Sequence, residues 1–251
     1  FSEINATTGA AIFLFDIADV FAARDIAVVN ERFAYVTGQA LVNATVTPPG
    51  KGGLWQVDIN TGSWVDLGAV PGGQLIVALD TLDENTLVGA AEDGTIVTYD
   101  LASSHWTPLG PLKAGGKDYV PVGDLAVVGP DQIYAVLYEV VNGQPLDAQH
   151  LATIDLTAPA GVTTTLLRDL TGRSSPIVGL EVGRNGLLIG LDAQGDRWEL
   201  PTNDVPGALG WTGIVSFDNG GLSGKPATFT PNGSTEFVVE LRQGDRVDVG
   251  F

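Results

Sequence analysis

The feature that most constrains this chain is a short acidic strand ending that returns at near-regular intervals. Thr98-Tyr99-Asp100-Leu101 closes one such strand. Leu14-Phe15-Asp16-Ile17, Gln56-Val57-Asp58-Ile59, Thr153-Ile154-Asp155-Leu156 and Arg197-Trp198-Glu199-Leu200 repeat it. Alternation around each acid puts apolar side chains on one face and leaves a carboxylate at the strand end, where it accepts hydrogen bonds from turn amides. The clearest unit runs from Leu75 to Gly110. Turn chemistry at Asp83-Glu84-Asn85, Glu92-Asp93-Gly94 and Ala102-Ser103-Ser104 divides it into four strand-length runs. A four-stranded meander has two faces to cover, so it needs neighbours built like itself.

The other strands of the unit recur too. Innermost runs begin at Asp25, Ile76, Asp124, Ile177 and Ala227, and second runs near Phe33, Leu87, Ile133, Leu187 and Thr235. An aromatic marks the fourth strand at Trp64, Trp106 and Trp211, a position suited to packing one sheet on the next. The spacing of the second runs, near 50 residues, continues across the two ends of the chain. The sequence therefore predicts an all-β fold: a single β-propeller domain over residues 1–251, with five blades and with six as the alternative. The last blade is shared, its inner strands being Ala227–Thr230 and Thr235–Leu241 and its outer ones Ala11–Ile17 and Val20–Ala23. Arg246–Phe251 reads as an additional strand that this count does not use. The units resemble the broad superfamily of bacterial β-propellers with blades of the DGTIVTYDL kind, here Asp93–Leu101. That resemblance implies the fold and carries over no functional residues.

Composition narrows the chemistry. Thirty acidic against 12 basic residues give a net charge of −18, which disfavours nucleic acid and anionic lipid as partners. Without cysteine there is no disulfide framework, thiol nucleophile or thiolate metal site, and two histidines make zinc improbable. No run approaches the roughly 20 apolar residues of a spanning helix, so membrane insertion is not expected. Neither Met nor Cys occurs, and a chain opening on Phe1 is expected to be a processed product, extracellular or at a cell surface. No cofactor is expected, with calcium left open at the acidic turns Asp192–Asp196 and Asp80–Glu84. Asn-x-Ser/Thr sequons stand at Asn5, Asn43 and Asn232.

The candidate ligand-binding residues are Asp25, Asp124 and Tyr119. The two acids enter the innermost strand at the same place in the first and third units, so both face the central funnel. Tyr119, on the segment feeding the same strand as Asp124, would supply a stacking surface. Binding residues are also expected on the long connections Gln39–Gly53, Leu112–Gly123 and Glu139–Gln149. His105 and His150 read as structural, and no catalytic residue is assigned. The function expected is a non-enzymatic binding or assembly module that engages a protein or polysaccharide at a cell surface, with self-association open. The alternative is a carbohydrate-active hydrolase or lyase, since paired acids about 5–10 Å apart are what glycoside cleavage uses.

Overall fold

The structure is a computed structural model. It describes residues 21–29, 32–42, 45–46, 52–170, 175–182, 188–194 and 196–200, together with the short strands Ser2–Ile4, Ala11–Phe13, Ile214–Phe217, Phe229–Pro231, Phe237–Val239 and Val247–Gly250. Those strands assemble into four antiparallel sheets of four or five strands and two separate two-stranded ribbons. From the innermost strand outwards, the first sheet is Phe21–Val28, Phe33–Val42, Gly52–Asp58 and Trp64–Ala69. The second is Ile76–Asp83, Thr86–Ala91, Thr95–Asp100 and His105–Pro111. The third is Lys117–Gly129, Gln132–Val141, Gln144–Asp155 and Thr163–Asp169, with Lys113–Ala114 added beside the first of these. The fourth is Ile177–Val182, Leu188–Asp192, Asp196–Leu200 and Ile214–Phe217, with Val247–Gly250 as a fifth strand on its outer side.

Each sheet buries one face against its neighbour. Ala27, Tyr35, Leu54 and Val70 of the first pack with Leu79, Leu87, Tyr99 and Trp106 of the second. Ala78, Val88, Ala90 and Ile96 on the second sheet's other face pack with Leu125, Ile133, Ala135 and Ile154 of the third. Ala126, Tyr134, Val136 and Leu151 then pack with Ile177, Leu180, Leu188 and Leu200 of the fourth. Strand period fixes this alternation, since neighbouring residues point to opposite faces.

The recurring acids do local work. Asp58 Oδ1 accepts from the amides of Asn60 and Thr61, Asp100 Oδ1 from Ser103, and Asp155 Oδ1 from Thr157. The apolar residue after each acid donates its N–H back to the start of the second strand: Ile59 to Arg32, Leu101 to Asn85 and Leu156 to Pro130. Each turn is thus tied at two points, which is why the acid-apolar pair recurs. These three acids gain more as carboxylates, and their pKa values lie below the ordinary range. The chief causes are the hydrogen bonds from Arg32 to Asp58, from Ser103 to Asp100 and from Thr157 to Asp155.

Every outermost strand of the first three sheets carries a bulge at a leucine. Leu67, Leu109 and Leu167 are the extra residues between paired neighbours. The innermost strands are interrupted as well, at Arg24, Val77, 122–124 and Val178.

Several segments differ from the sequence reading. Residues 21–23 are not an outer strand of a shared blade: they pair with Gly38–Ala40 and continue, past the bulge at Arg24, into the first sheet's innermost strand. Glu139–Gln149 and Leu112–Gly123 are hairpin extensions of the third sheet rather than loops. They turn at Asn142-Gly143 (φ 54° and 77°) and at Gly115-Gly116 (φ 56° and 79°), the left-handed pairs that two-residue hairpins require. Phe229–Pro231 pairs with Phe237–Val239, and Ala11–Phe13 with Ser2–Ile4, each as a separate two-stranded ribbon. The sequons and Trp211 lie outside the described residues.

Candidate functional site: the carboxylates of the innermost strands

Asp25 and Asp124 occupy equivalent register positions, just inside the bulges of the first and third innermost strands. A bulge at this point re-aims the side chain that follows it. Each carboxylate reaches across to the next sheet. Asp25 Oδ2 accepts from Leu79 N at 2.6 Å and Oδ1 from its own neighbour Ile26 N at 2.8 Å. Asp124 Oδ2 accepts from Leu180 N at 3.0 Å and Oδ1 from Leu125 N at 2.7 Å.

A third acid, missed as a site residue by the sequence reading, completes the pattern. Asp80, two residues further along the second innermost strand, accepts from Val127 N at 2.8 Å with Oδ2 and from Thr81 N at 2.6 Å with Oδ1. The innermost strands are therefore clipped in series: first to second by Asp25, second to third by Asp80, third to fourth by Asp124. The signal that would have found Asp80 is parity, because positions two apart on a strand share a face.

Burial raises the pKa values of all three acids. Burial pushes Asp25 up to about 6 against the lowering effect of its amide bonds and of the neighbouring Asp124 carboxyl. Asp124 stands well above the ordinary carboxylate range, first through burial and then through the negative charge of Asp25. Asp80 is also raised by burial. Glu181, at the register position of Asp80 in the fourth sheet, is raised by burial first and by the charge of Asp80 second.

Tyr119 is not brought to this pair. It lies within the strand Lys117–Gly129 opposite Glu139, is 3% exposed, and packs edge-on against His150 at 5.9 Å between ring centroids. Its neighbours are core residues of the second and third sheets, so the stacking surface expected of it is turned inward. The alternation that makes Val120 half-exposed buries the residues on either side of it, Tyr119 and Pro121. His105 is exposed beside Trp106, and His150 is half-buried with Nε2 lacking a hydrogen-bond partner.

Carboxylates of the acidic turns considered for calcium also cap local donors. Asp83 caps Asn85 N, while Asp192 accepts from Gln194 N and from Trp198 Nε1. Among the described residues no group of three or more metal-ligating side chains is placed to hold an ion. Nor, among those residues, is any helix long and apolar enough to cross a membrane.

No family model and no curated protein matches the chain. Solved structures do. A chain of a nidogen/laminin complex aligns over 79% of this chain and 68% of its own length, at 14% identity and a TM-score of 0.55. A chain of a mitotic checkpoint complex aligns over 82% and 55%, at 14% identity and TM-score 0.47, so this chain spans about half of that one. An oligogalacturonate lyase in complex with manganese aligns over 86% and 67%, at 11% identity and TM-score 0.48. Together with the four packed antiparallel sheets, the likeness to the nidogen/laminin chain shows an all-β fold of the propeller type.

Proposed function

We propose that this chain is a non-enzymatic binding or assembly module whose partner, a protein or polysaccharide at a cell surface, is met by the hairpins projecting from its sheets. The observation carrying this reading is the commitment of the central carboxylates. In Asp25, Asp80 and Asp124, Oδ2 accepts a backbone amide of the next sheet and Oδ1 the amide of the following residue, which is a structural use. The third sheet meanwhile extends a hairpin whose residues 141–147 are all exposed, including Val141 at 40% and Leu146 at 42%. Rigid strands holding an exposed tip are the usual setting for recognition. The test is affinity capture from the native surroundings, comparing the unaltered chain with a Val141→Ser, Leu146→Ser double variant. The reading expects a partner retained by the first and lost from the second without a fall in melting temperature. Equal retention by both would refute the assignment to this hairpin.

A second reading is favoured by one observation. Burial raises the Asp25 carboxyl to about 6 and holds that of Asp124 well above the ordinary carboxylate range, the direction a carbohydrate-active hydrolase or lyase needs in its general acid. It requires turnover on a glycan panel that Asp124→Asn abolishes while the protein stays folded. No turnover by the unaltered protein removes it.

A further inference from the structure

The hairpin that extends the third sheet turns on Asn142-Gly143, and the residues on either side, Val141 and Gln144, pair as the last rung of the ladder. Both turn residues are left-handed, with φ 54° and 77°, and the chain is exposed along residues 141–147. A Cβ added at Gly143 would meet nothing within 4 Å, so this peptide unit stands in open space. Among the described residues, neither the Asn142 carboxamide nor the Gly143 N–H takes part in a hydrogen bond.

An asparagine followed by glycine carries its own reacting groups. The glycine amide nitrogen is a nucleophile once it has given its proton to solvent base, and the asparagine side-chain carbonyl carbon is the electrophile beside it. A Cβ on the following residue crowds that nitrogen, and a branched one crowds it more. Hydrogen bonds that hold the N–H or the side chain oppose the attack as well. At Asn142 neither obstacle is present.

Elsewhere in the described chain the same chemistry is blocked. Asn60 precedes Thr61, whose N–H donates to Asp58 Oδ1 at 3.1 Å. Asn85 precedes Thr86, a branched residue already inside a strand, and the Asn85 carbonyl accepts from Leu101 N. Asp93-Gly94 has the permissive glycine, but the Gly94 N–H donates to Ala91 O at 2.9 Å and Asp93 Oδ1 accepts from Thr95 N. The turns within the sheets are tied down, whereas the projecting one is open.

We propose that Asn142 is a site of spontaneous deamidation, a covalent change built into the tip of the projecting hairpin. The Gly143 nitrogen bonds to the Asn142 side-chain carbonyl carbon, the bond from that carbon to the side-chain nitrogen breaks, and that nitrogen leaves as ammonia. Water then opens the cyclic imide, its hydroxyl adding to a carbonyl carbon and its proton going to the ring nitrogen. Opening at the side-chain carbonyl gives aspartate and restores the main chain. Opening at the main-chain carbonyl gives isoaspartate, which routes the chain through the former side chain and lengthens the backbone by one carbon. The first product adds negative charge to a chain already at −18. The second no longer fits a two-residue turn, so the Val141–Gln144 rung opens. This chemistry does not depend on the recognition assigned to the hairpin above, although either product changes the surface offered there.

Incubating the folded full-length chain in heavy-oxygen water at mildly alkaline pH, followed by peptide mapping, tests this. Asn142 is expected to lose ammonia and take up labelled oxygen at least about tenfold faster than Asn60 or Asn85, since each of those has a branched residue after it. The isoaspartate product should exchange the backbone amide hydrogens of the hairpin faster than the aspartate product does. Asn142→Gly, which tolerates the positive φ, should take up no label at the tip. Conversion of Asn142 no faster than that of Asn60 and Asn85 in the folded chain, with rapid conversion after unfolding in urea, would overturn the proposal, because the turn would then protect the site. Equal amide exchange in the two products would overturn the opening of the rung.

Discussion

Replacing Asp25 by asparagine should change how stability depends on pH, and the size of the change follows from the structure. In the folded chain burial holds the Asp25 carboxyl at about 6, against an ordinary 3.8. A group whose folded pKa is raised stabilises the fold fully below the unfolded pKa, and that stability is lost as pH rises through the folded one. Between pH 3.8 and about 6 the native state therefore binds more protons than the unfolded chain. The loss across that window is about 3 kcal/mol. For a chain of this length it corresponds to about 6–12 °C in melting temperature. The amide side chain of the Asp25→Asn variant would keep one acceptor oxygen but set an NH2 group against the second backbone N–H, costing about 1–2 kcal/mol at any pH. The variant should thus be less stable than the parent at pH 4 and should lose that deficit by pH 7, as the carboxylate it lacks becomes a liability in the parent. Urea denaturation of both proteins at half-unit steps from pH 4 to pH 8 measures this. General repulsion from the net charge of −18 acts on nearly equal terms in both chains, so the difference between them reads Asp25 together with the Asp124 carboxyl that its charge raises. Parallel curves, or a deficit that widens with pH, would refute the reasoning.

Four further outcomes are expected. Gly94→Ala should cost more than about 3 kcal/mol, because φ is +86° and the new Cβ would lie 2.1 Å from the Tyr119 carbonyl oxygen. Gly115→Ala, with φ +56° and open space around it, should cost only about 1 kcal/mol, both being read by urea midpoint. Arg32→Ala removes the guanidinium 2.8 Å from Asp58, so the Asp58 carboxyl should titrate at higher pH in a side-chain NMR titration, with the fold unchanged. Trp106→Ala should destabilise by about 3–5 kcal/mol in thermal melts, since the indole is 7% exposed and packs 4.8 Å from the Tyr99 ring.

Much of this fold was legible because its signals are local. Asp58, Asp100 and Asp155 satisfy amides two or three residues away, so the purpose of each acid is written beside it in the chain. The clips are of another kind. Leu79 N lies 54 residues from Asp25, Val127 N 47 from Asp80, and Leu180 N 56 from Asp124. Register across a sheet junction decides those partners, and one strand's pattern contains nothing about the offset of the next. That is why Asp25 and Asp124 were found as aligned acids while Asp80, two residues out of alignment, was read as a turn residue. Tyr119 misled for a related reason. Its surroundings, Gly115-Gly116 before and Pro121 after, have loop composition, yet the pair of glycines makes a hairpin turn that carries the tyrosine back into a strand. Asn142-Gly143 carried the same signal in its strongest form.

The leucine bulges at positions 67, 109 and 167 decide how this molecule can meet copies of itself. An unbroken outer strand offers its backbone as a template on which another chain can crystallise, the first event in fibril growth. Here the repeat of amide and carbonyl falls out of step midway along three rims in turn, so an incoming strand finds matching partners for only a few residues. Concentrated solutions of the folded protein should accordingly stay clear of thioflavin-positive aggregates, leaving recognition to side chains at the hairpin tips.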